Sequence, residues 1–137
     1  MPRCLSLRRV CRDGPSTFDR EQQLILVTGG TGFIGSHTSV ALANAGHDFV
    51  ILDNLGNSQR DVLDRLAPLC GKRPAFVEGD VRDAATLDRV FAQYPIRAVI
   101  HFAALKAVGE SVQKPLAYYE NNITGTLQLL EAMRRAA

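Results

Sequence analysis

Cysteine is scarce in this sequence. Cys4, Cys11 and Cys70 make three, an odd number with no C-x-x-C spacing, which argues against both a disulfide framework and a zinc site. A reducing compartment, the cytoplasm, fits best. Long apolar runs are also missing: the strongly apolar stretches are strand-sized, well short of the roughly 20 residues that a membrane-spanning helix needs. No membrane partner is expected. An excess of charge of one sign is missing too, with 16 Lys and Arg against 14 Asp and Glu, so no nucleic-acid partner is expected either. His37 and His47 show no metal-ligand spacing. There is no internal repeat and no low-complexity tract.

The small basic excess lies at the start. Residues 1–23 carry Arg3, Arg8, Arg9, Arg12 and Arg20 against Asp13, Asp19 and Glu21, which accounts for the whole net charge of +2. This leader has Gly14-Pro15-Ser16 in its middle and no uninterrupted apolar run, which argues against a secretory signal. An organelle transit peptide shares its arginine-rich, serine-containing composition, but the three acidic residues count against one. A disordered leader is the simpler reading.

From Leu24 onward, strand-sized apolar runs alternate with helix-period segments, the pattern of parallel β-α-β units. Residues 24–137 are expected to form one domain of α/β class with a Rossmann-type, doubly wound parallel sheet, ending after the fourth strand and the helix that follows it. The strands are expected at Leu24 to Thr28, Phe49 to Leu52, Ala75 to Glu78 and Arg97 to Ala103. The first helix runs from about Ile34 to Ala45, with Ile34, Ala41, Leu42 and Ala45 on its core face and Gly46 as its left-handed cap. A short helix follows, with Val62, Leu63 and Leu66 on one face and its end near Pro68. The next is N-capped by Asp83 and carries Leu87, Val90, Phe91 and Tyr94. A last long helix opens at Pro115, its apolar stripe formed by Leu116, Tyr119, Ile123, Leu127, Leu130 and Met133.

The chemistry concentrates between the first strand and the first helix. Gly29, Gly32 and Gly35 satisfy G-x-x-G-x-x-G, and Gly30, Gly32 and Gly35 satisfy G-x-G-x-x-G. Glycines there allow a tight turn, close backbone approach to a pyrophosphate and close packing of helix on strand. The N–H groups of Phe33 and Ile34 at the helix start, together with the helix dipole, favour an anion. A glycine-rich turn that binds nothing is the plain alternative. Against it stands Asp53 at the end of the second strand, near the separation of about 20 residues expected of a ribose-binding carboxylate. That carboxylate repels a 2′-phosphate, so NAD is expected rather than NADP unless Arg60, in the same loop, compensates. Asp80, just past the third strand, is equally well placed to accept from an adenine amino group, with Val81 against the ring, or to form a turn. His101, inside a strand, reads as a hydrogen-bonded structural residue.

The run from Val27 to Thr38, Val-Thr-Gly-Gly-Thr-Gly-Phe-Ile-Gly-Ser-His-Thr, resembles the fingerprint of the extended short-chain dehydrogenases/reductases. The runs Asp53 to Ser58, Val77 to Arg82, His101 to Ser111 and Tyr118 to Leu127 narrow the likeness to the UDP-glucose 4-epimerases. The stretch Leu105-Lys106-Ala107-Val108-Gly109-Glu110-Ser111 is the most specific of these. The likeness extends from about Leu24 to the last residue. It implies NAD contacts from Phe33 and Ile34, from Asp53, Asn54, Leu55, Gly56, Asn57 and Ser58, from Asp80 and Val81, from Phe102, Ala103, Ala104, Leu105 and Lys106, and from Asn121. Ala104 stands where glycine is frequent in the family, and Phe33 where tyrosine is frequent.

The resemblance further implies a UDP-hexose substrate, a homodimer in the full-length protein, and reversible oxidation at C4 of the sugar. In that reaction a tyrosine takes the hydroxyl proton, and a nearby lysine lowers the tyrosine pKa. Tyr94, Tyr118 and Tyr119 have no lysine four residues on. The family's Ser-rich strand and Tyr-x-x-x-Lys helix are therefore expected beyond Ala137, leaving this stretch inactive by itself and its fourth strand at an edge. Another nucleotide-sugar dehydratase or decarboxylase, or a non-catalytic dinucleotide-binding module, are the alternative readings.

Overall fold

Every residue of β2 (Phe49–Asp53) is buried, as a central strand covered on both faces of a parallel sheet must be. A computed structural model describes residues 24–137; the basic leader, residues 1–23, lies outside the described residues. Around β2 stand β1 (Leu24–Thr28), β3 (Ala75–Glu78) and β4 (Ile96–His101) in the order β3-β2-β1-β4. All pairs are parallel, with Val27 of β1 in register with Ile51 on one side and Ile100 on the other. The expected doubly wound sheet is thus present, and the winding reverses between β1 and β4. That reversal opens the crevice in which such sheets bind ligands.

The two faces carry separate cores. On one, α1 (Phe33–Asn44) and α2 (Val62–Leu69) cover Val27, Phe49 and Ile51, with Leu63 and Leu66 fully packed. On the other, α3 (Ala84–Gln93) and α6 (Gly125–Ala136) bring Leu87, Val90, Leu129 and Ala132 onto Leu26, Val50 and Leu52. Asp83 caps α3 as expected, its carboxylate accepting from the Ala85 N–H at 3.0 Å and from the Thr86 hydroxyl at 2.6 Å. Pro68 falls inside the last turn of α2 rather than ending it. No helix among the described residues is long and apolar enough to cross a membrane.

Two helix faces differ from the expectation. In α1 the buried positions are Gly35 and Ser39, whereas Ile34, Ala41 and Ala45 face outward. Ser39 satisfies its hydroxyl on the Gly35 carbonyl at 2.9 Å, so small residues, invisible to a hydropathy count, are the most deeply buried, while Val40, Ala43 and the expected Leu42 pack half-buried beside them. The long terminal helix shows the same effect. It consists of α5 (Pro115–Tyr119), a π-helical turn (Glu120–Thr124) and α6. Its buried residues are Asn121, Gly125, Leu129 and Ala132. Of the expected core stripe, Leu116, Tyr119, Ile123, Leu127 and Leu130 are exposed, and Met133 alone packs, half-buried, against the core. Gly125 then lets the backbone press onto Val81, where a Cβ would lie 2.9 Å from a valine methyl.

One boundary moves and one element is added. β4 ends at His101, because Phe102 and Ala103 turn out of the strand, the Ala104 N–H meeting the Phe102 carbonyl at 2.7 Å. An additional short helix, α4 (Val108–Gln113), follows; its Val108 and Val112 are exposed, so it has no core-facing period to betray it.

The reversed face of α6 predicts a contrast. Leu129→Ala should lower the unfolding free energy by about 2–5 kcal/mol. Leu130→Ala, at 54% exposure, should change it by less than about 0.5 kcal/mol. Urea denaturation of the two variants measures both, and equal losses would reverse the assignment of faces.

Candidate functional site

Gly29 leaves β1 with φ +68°, a conformation that costs a side-chain-bearing residue dearly. A Cβ there would also lie 2.6 Å from the Phe102 carbonyl carbon, so glycine is required for both reasons. Gly35 is required by packing alone: its Cβ would fall 2.2 Å from the Gly29 carbonyl oxygen. The turn therefore folds tightly against its own helix and against the chain leaving β4. Gly32 precedes α1 with no side-chain cap, and the first-turn N–H groups of a helix have no partner within it. They and the helix dipole face the crevice.

Asp53 organises the facing loop. It is buried, and its carboxylate is shared between two backbones: Oδ2 accepts from the Thr31 N–H at 3.1 Å and Oδ1 from the Leu55 N–H at 2.9 Å. Leu55 adopts φ +57°, a left-handed conformation that a leucine takes only when held there. A second tie joins the same loops through the Thr31 and Ser58 hydroxyls, 2.7 Å apart. Further along, Asn54 donates to Asp80 at 3.0 Å and accepts from the Gly56 N–H at 2.9 Å. The Asp80 carboxylate is also gripped by Arg82, whose Nε and terminal nitrogen approach to 2.9 and 2.7 Å. That guanidinium holds the Asp80 carboxyl well below the usual carboxylate range. Arg60 is engaged by Glu78 in an ion pair, its guanidinium 5.3 Å above the Phe76 ring.

On the β4 side the loop is held by two asparagines. Asn121 is buried and donates to the Ala103 carbonyl at 3.4 Å. Asn122 clamps the Leu105 peptide from both ends, accepting from its N–H at 2.8 Å and donating to its carbonyl at 3.0 Å. This clamp presents Lys106 at the rim. His101 lies beneath, its Nδ1 2.6 Å from the Thr28 hydroxyl and its Nε2 3.2 Å from the Thr126 hydroxyl. It is a structural link between β1, β4 and α6, as its place in a strand implies.

These loops enclose a cleft of about 370 Å³. Of the residues from which cofactor contacts are expected, all line it except Leu55, Ser58 and Asp80; Gly30, packed on Ile51, and Arg60 do not line it either. Those three stand behind the wall: Leu55 and Ser58 in the loop pinned to Thr31 and Asp53, Asp80 in the Asn54–Arg82 network. The cleft adds Leu52, Gly79 and Ala107. Thr31 and Asn122 carry no mark of their role in the sequence because each acts on a partner distant along the chain: Thr31 through its N–H and hydroxyl on the Asp53 and Ser58 side chains, Asn122 through its amide on the Leu105 backbone; the doubled asparagine at 121–122 is the sign of the second.

A doubly wound parallel sheet with a glycine turn, a helix N-terminus and an acidic strand end around one crevice defines a Rossmann-type domain. The family model described as GDP-mannose 4,6 dehydratase matches residues 26–137. The UDP-glucose 4-epimerase of Klebsiella pneumoniae is 58% identical over 112 residues, covering 82% of this chain and 81% of that protein. That of Yersinia pestis is 62% identical over 112 residues, covering 82% of this chain and 33% of the relative. Among solved structures, the Bifidobacterium longum UDP-glucose 4-epimerase in complex with NAD+ and UDP is 51% identical with a TM-score of 0.81, covering 83% of this chain and 34% of that one. The Stenotrophomonas maltophila UDP-glucose 4-epimerase, with bound NAD and formylated UDP-arabinopyranose, is 46% identical with a TM-score of 0.81, covering 84% and 34%. The chain belongs to the UDP-glucose 4-epimerase family. It spans about a third of the length of the Yersinia relative and of both solved structures.

The His101 link has a pH consequence. Burial lowers the imidazole pKa below its ordinary 6.5. Between the lowered folded value and 6.5 the unfolded chain binds a proton that the folded chain refuses, so stability falls as the pH drops through this window and is whole above it. Urea midpoints compared at about pH 7.5 and about pH 5.5 should fall more for the unaltered chain than for His101→Gln; parallel losses would remove His101 from the acid response.

Proposed function

We propose that this chain is the NAD-binding part of a UDP-glucose 4-epimerase, cytoplasmic and acting on UDP-hexoses within a longer protein. The observation that carries the reading is Asp53. Its two oxygens fasten the glycine turn and the β2–α2 loop, while a carboxylate has about four acceptor positions in all. Two positions therefore remain for a ribose diol. The residues also fit the rest of a dinucleotide. The uncapped start of α1 suits a pyrophosphate, and a Cβ on Gly32 would meet only the Gly29 carbonyl oxygen, at 3.3 Å, leaving the space beyond it open. Lys106 lines the other end of the cleft, where an ammonium suits an anionic ligand.

NAD would supply the hydride acceptor for oxidation at the sugar's C4. The chain's own residues bind and orient: Asp53 by hydrogen bonds to ribose hydroxyls, Phe33 and Ile34 through their backbone at the pyrophosphate, and Asn121 and Asn122 by holding the 103–105 backbone against the cofactor. Proton transfer is assigned to no residue of this sequence, because none of its three tyrosines, Tyr94, Tyr118 and Tyr119, is followed four positions on by lysine. The exposed apolar stripe from Leu116 to Leu130 supports the homodimer reading, since a second helix surface would remove it from water.

Titration calorimetry with NAD and NADP tests the cofactor. NAD should bind in preference, and Asp53→Asn, which leaves a single acceptor for the two loop N–H groups and the ribose, should weaken NAD by about 10- to 100-fold. Equal affinity for the two dinucleotides would sink the assignment of Asp53. In a coupled assay the chain by itself should give no interconversion of UDP-glucose and UDP-galactose above a tag-only control; turnover that survives repurification would place an acid/base group among the residues present.

A further inference from the structure

The carboxyl edge of the sheet carries two acidic side chains side by side, Asp53 ending β2 in register with Glu78 ending β3. They do different things. Asp53 is buried and binds backbone N–H groups, whereas Glu78 is half-exposed and holds Arg60. Arg60 lies two residues beyond Ser58, in the loop that the Thr31–Ser58 hydroxyl pair fastens to the glycine turn. Through Glu78, that loop's cation is held one strand away from Asp53 at the same carboxyl edge, just outside the residues that line the cleft. An arginine so placed is the ordinary anchor of a 2′-phosphate, because its planar fork matches a phosphate with two hydrogen bonds. Here the fork is engaged by Glu78, with the guanidinium over the Phe76 ring at 5.3 Å from its centre.

We propose that Glu78 is a specificity-determining positioning residue: by keeping Arg60 paired and stacked on Phe76 it withholds the cation that a 2′-phosphate requires, and so sets the preference for NAD over NADP together with Asp53. The inference rests on the dinucleotide reading above. Glu78 acts in two ways at once. It neutralises Arg60, and its own charge lies one strand away from Asp53, so a dianionic phosphate meets two carboxylates and no free arginine. An exposed ion pair is weak by itself, but the cation–π contact strengthens the parked arrangement. A small bias suffices to decide between two orientations of one side chain.

The test is calorimetric titration of the full 137-residue chain with NAD and with NADP, unaltered and as Glu78→Gln, Glu78→Asp, Arg60→Ala and the Glu78→Gln/Arg60→Ala double variant. Glu78→Gln should raise NADP affinity about tenfold while changing NAD affinity by less than about twofold. Glu78→Asp should restore much of the original ratio. The double variant should lose the NADP gain, and about 1 M salt should abolish it in Glu78→Gln; Arg60→Ala alone should leave NAD binding intact. A merely structural role for Glu78 would weaken both dinucleotides alike, which overturns the proposal. An unchanged ratio in Glu78→Gln, with NAD still bound by the unaltered chain, also overturns it and leaves the dinucleotide reading standing. A gain that persists without Arg60 overturns the parking mechanism. Failure of the unaltered chain to bind NAD removes the inference together with the reading beneath it.

Discussion

A buried carboxylate paired with backbone N–H groups, and with no cation among the described residues, governs this molecule's working edge. Asp53 is desolvated at the end of the central strand and is stabilised by the backbone N–H groups of Thr31 and Leu55. Burying an ionised carboxyl costs several kcal/mol unless such bonds offset it. The offset is what shapes the site, because the two donors come from two different loops. The glycine turn can reach Asp53 only if Gly29 takes its left-handed conformation, and the β2–α2 loop only if Leu55 does. One charge thus orders these two loops before any ligand arrives, a preorganisation that lowers the ordering cost of binding.

The opposite wall depends on a different economy of space. Gly29 and Gly35 bring backbone against backbone with no room for a Cβ, so the chain leaving β4 runs directly beside the turn leaving β1. His101 then ties the two strand ends to α6 through the Thr28 and Thr126 hydroxyls. Asn122 performs the same service one layer higher, with its amide bonded to both ends of the Leu105 peptide. A helix that supplies polar side chains to a neighbouring loop cannot also turn its greasiest face inward at every position. Leu116, Leu127 and Leu130 accordingly lie on the outer surface, while Asn121 and Gly125 turn inward.

Charge near the cleft is likewise arranged in closed pairs. Arg82 is spent on Asp80 and Arg60 on Glu78, while Lys106 lines the cleft at its other end. The Asp53 side of the cleft is consequently acidic or neutral, and the α1 end is favourable to an anion through its N–H groups and dipole. Such a distribution suits a molecule with a central pyrophosphate and an unphosphorylated ribose at one end.

Fold class, strand positions and the glycine turn followed from the sequence by itself, because continuous β-branched runs in β1 and β2 and glycine at 29, 32 and 35 have few structural alternatives. Asp53 was legible for the same reason, standing at a strand end a known distance past the glycines. Tertiary structure alone decided which faces of α1 and α6 are buried, since Gly35, Ser39, Asn121 and Gly125 enter the core by size and hydrogen bonding rather than by hydropathy. It also decided what Thr31, Asn122, Glu78 and Arg60 do. Each of these acts on a partner far along the chain, and a contact of that kind exists only once the strands have been laid side by side.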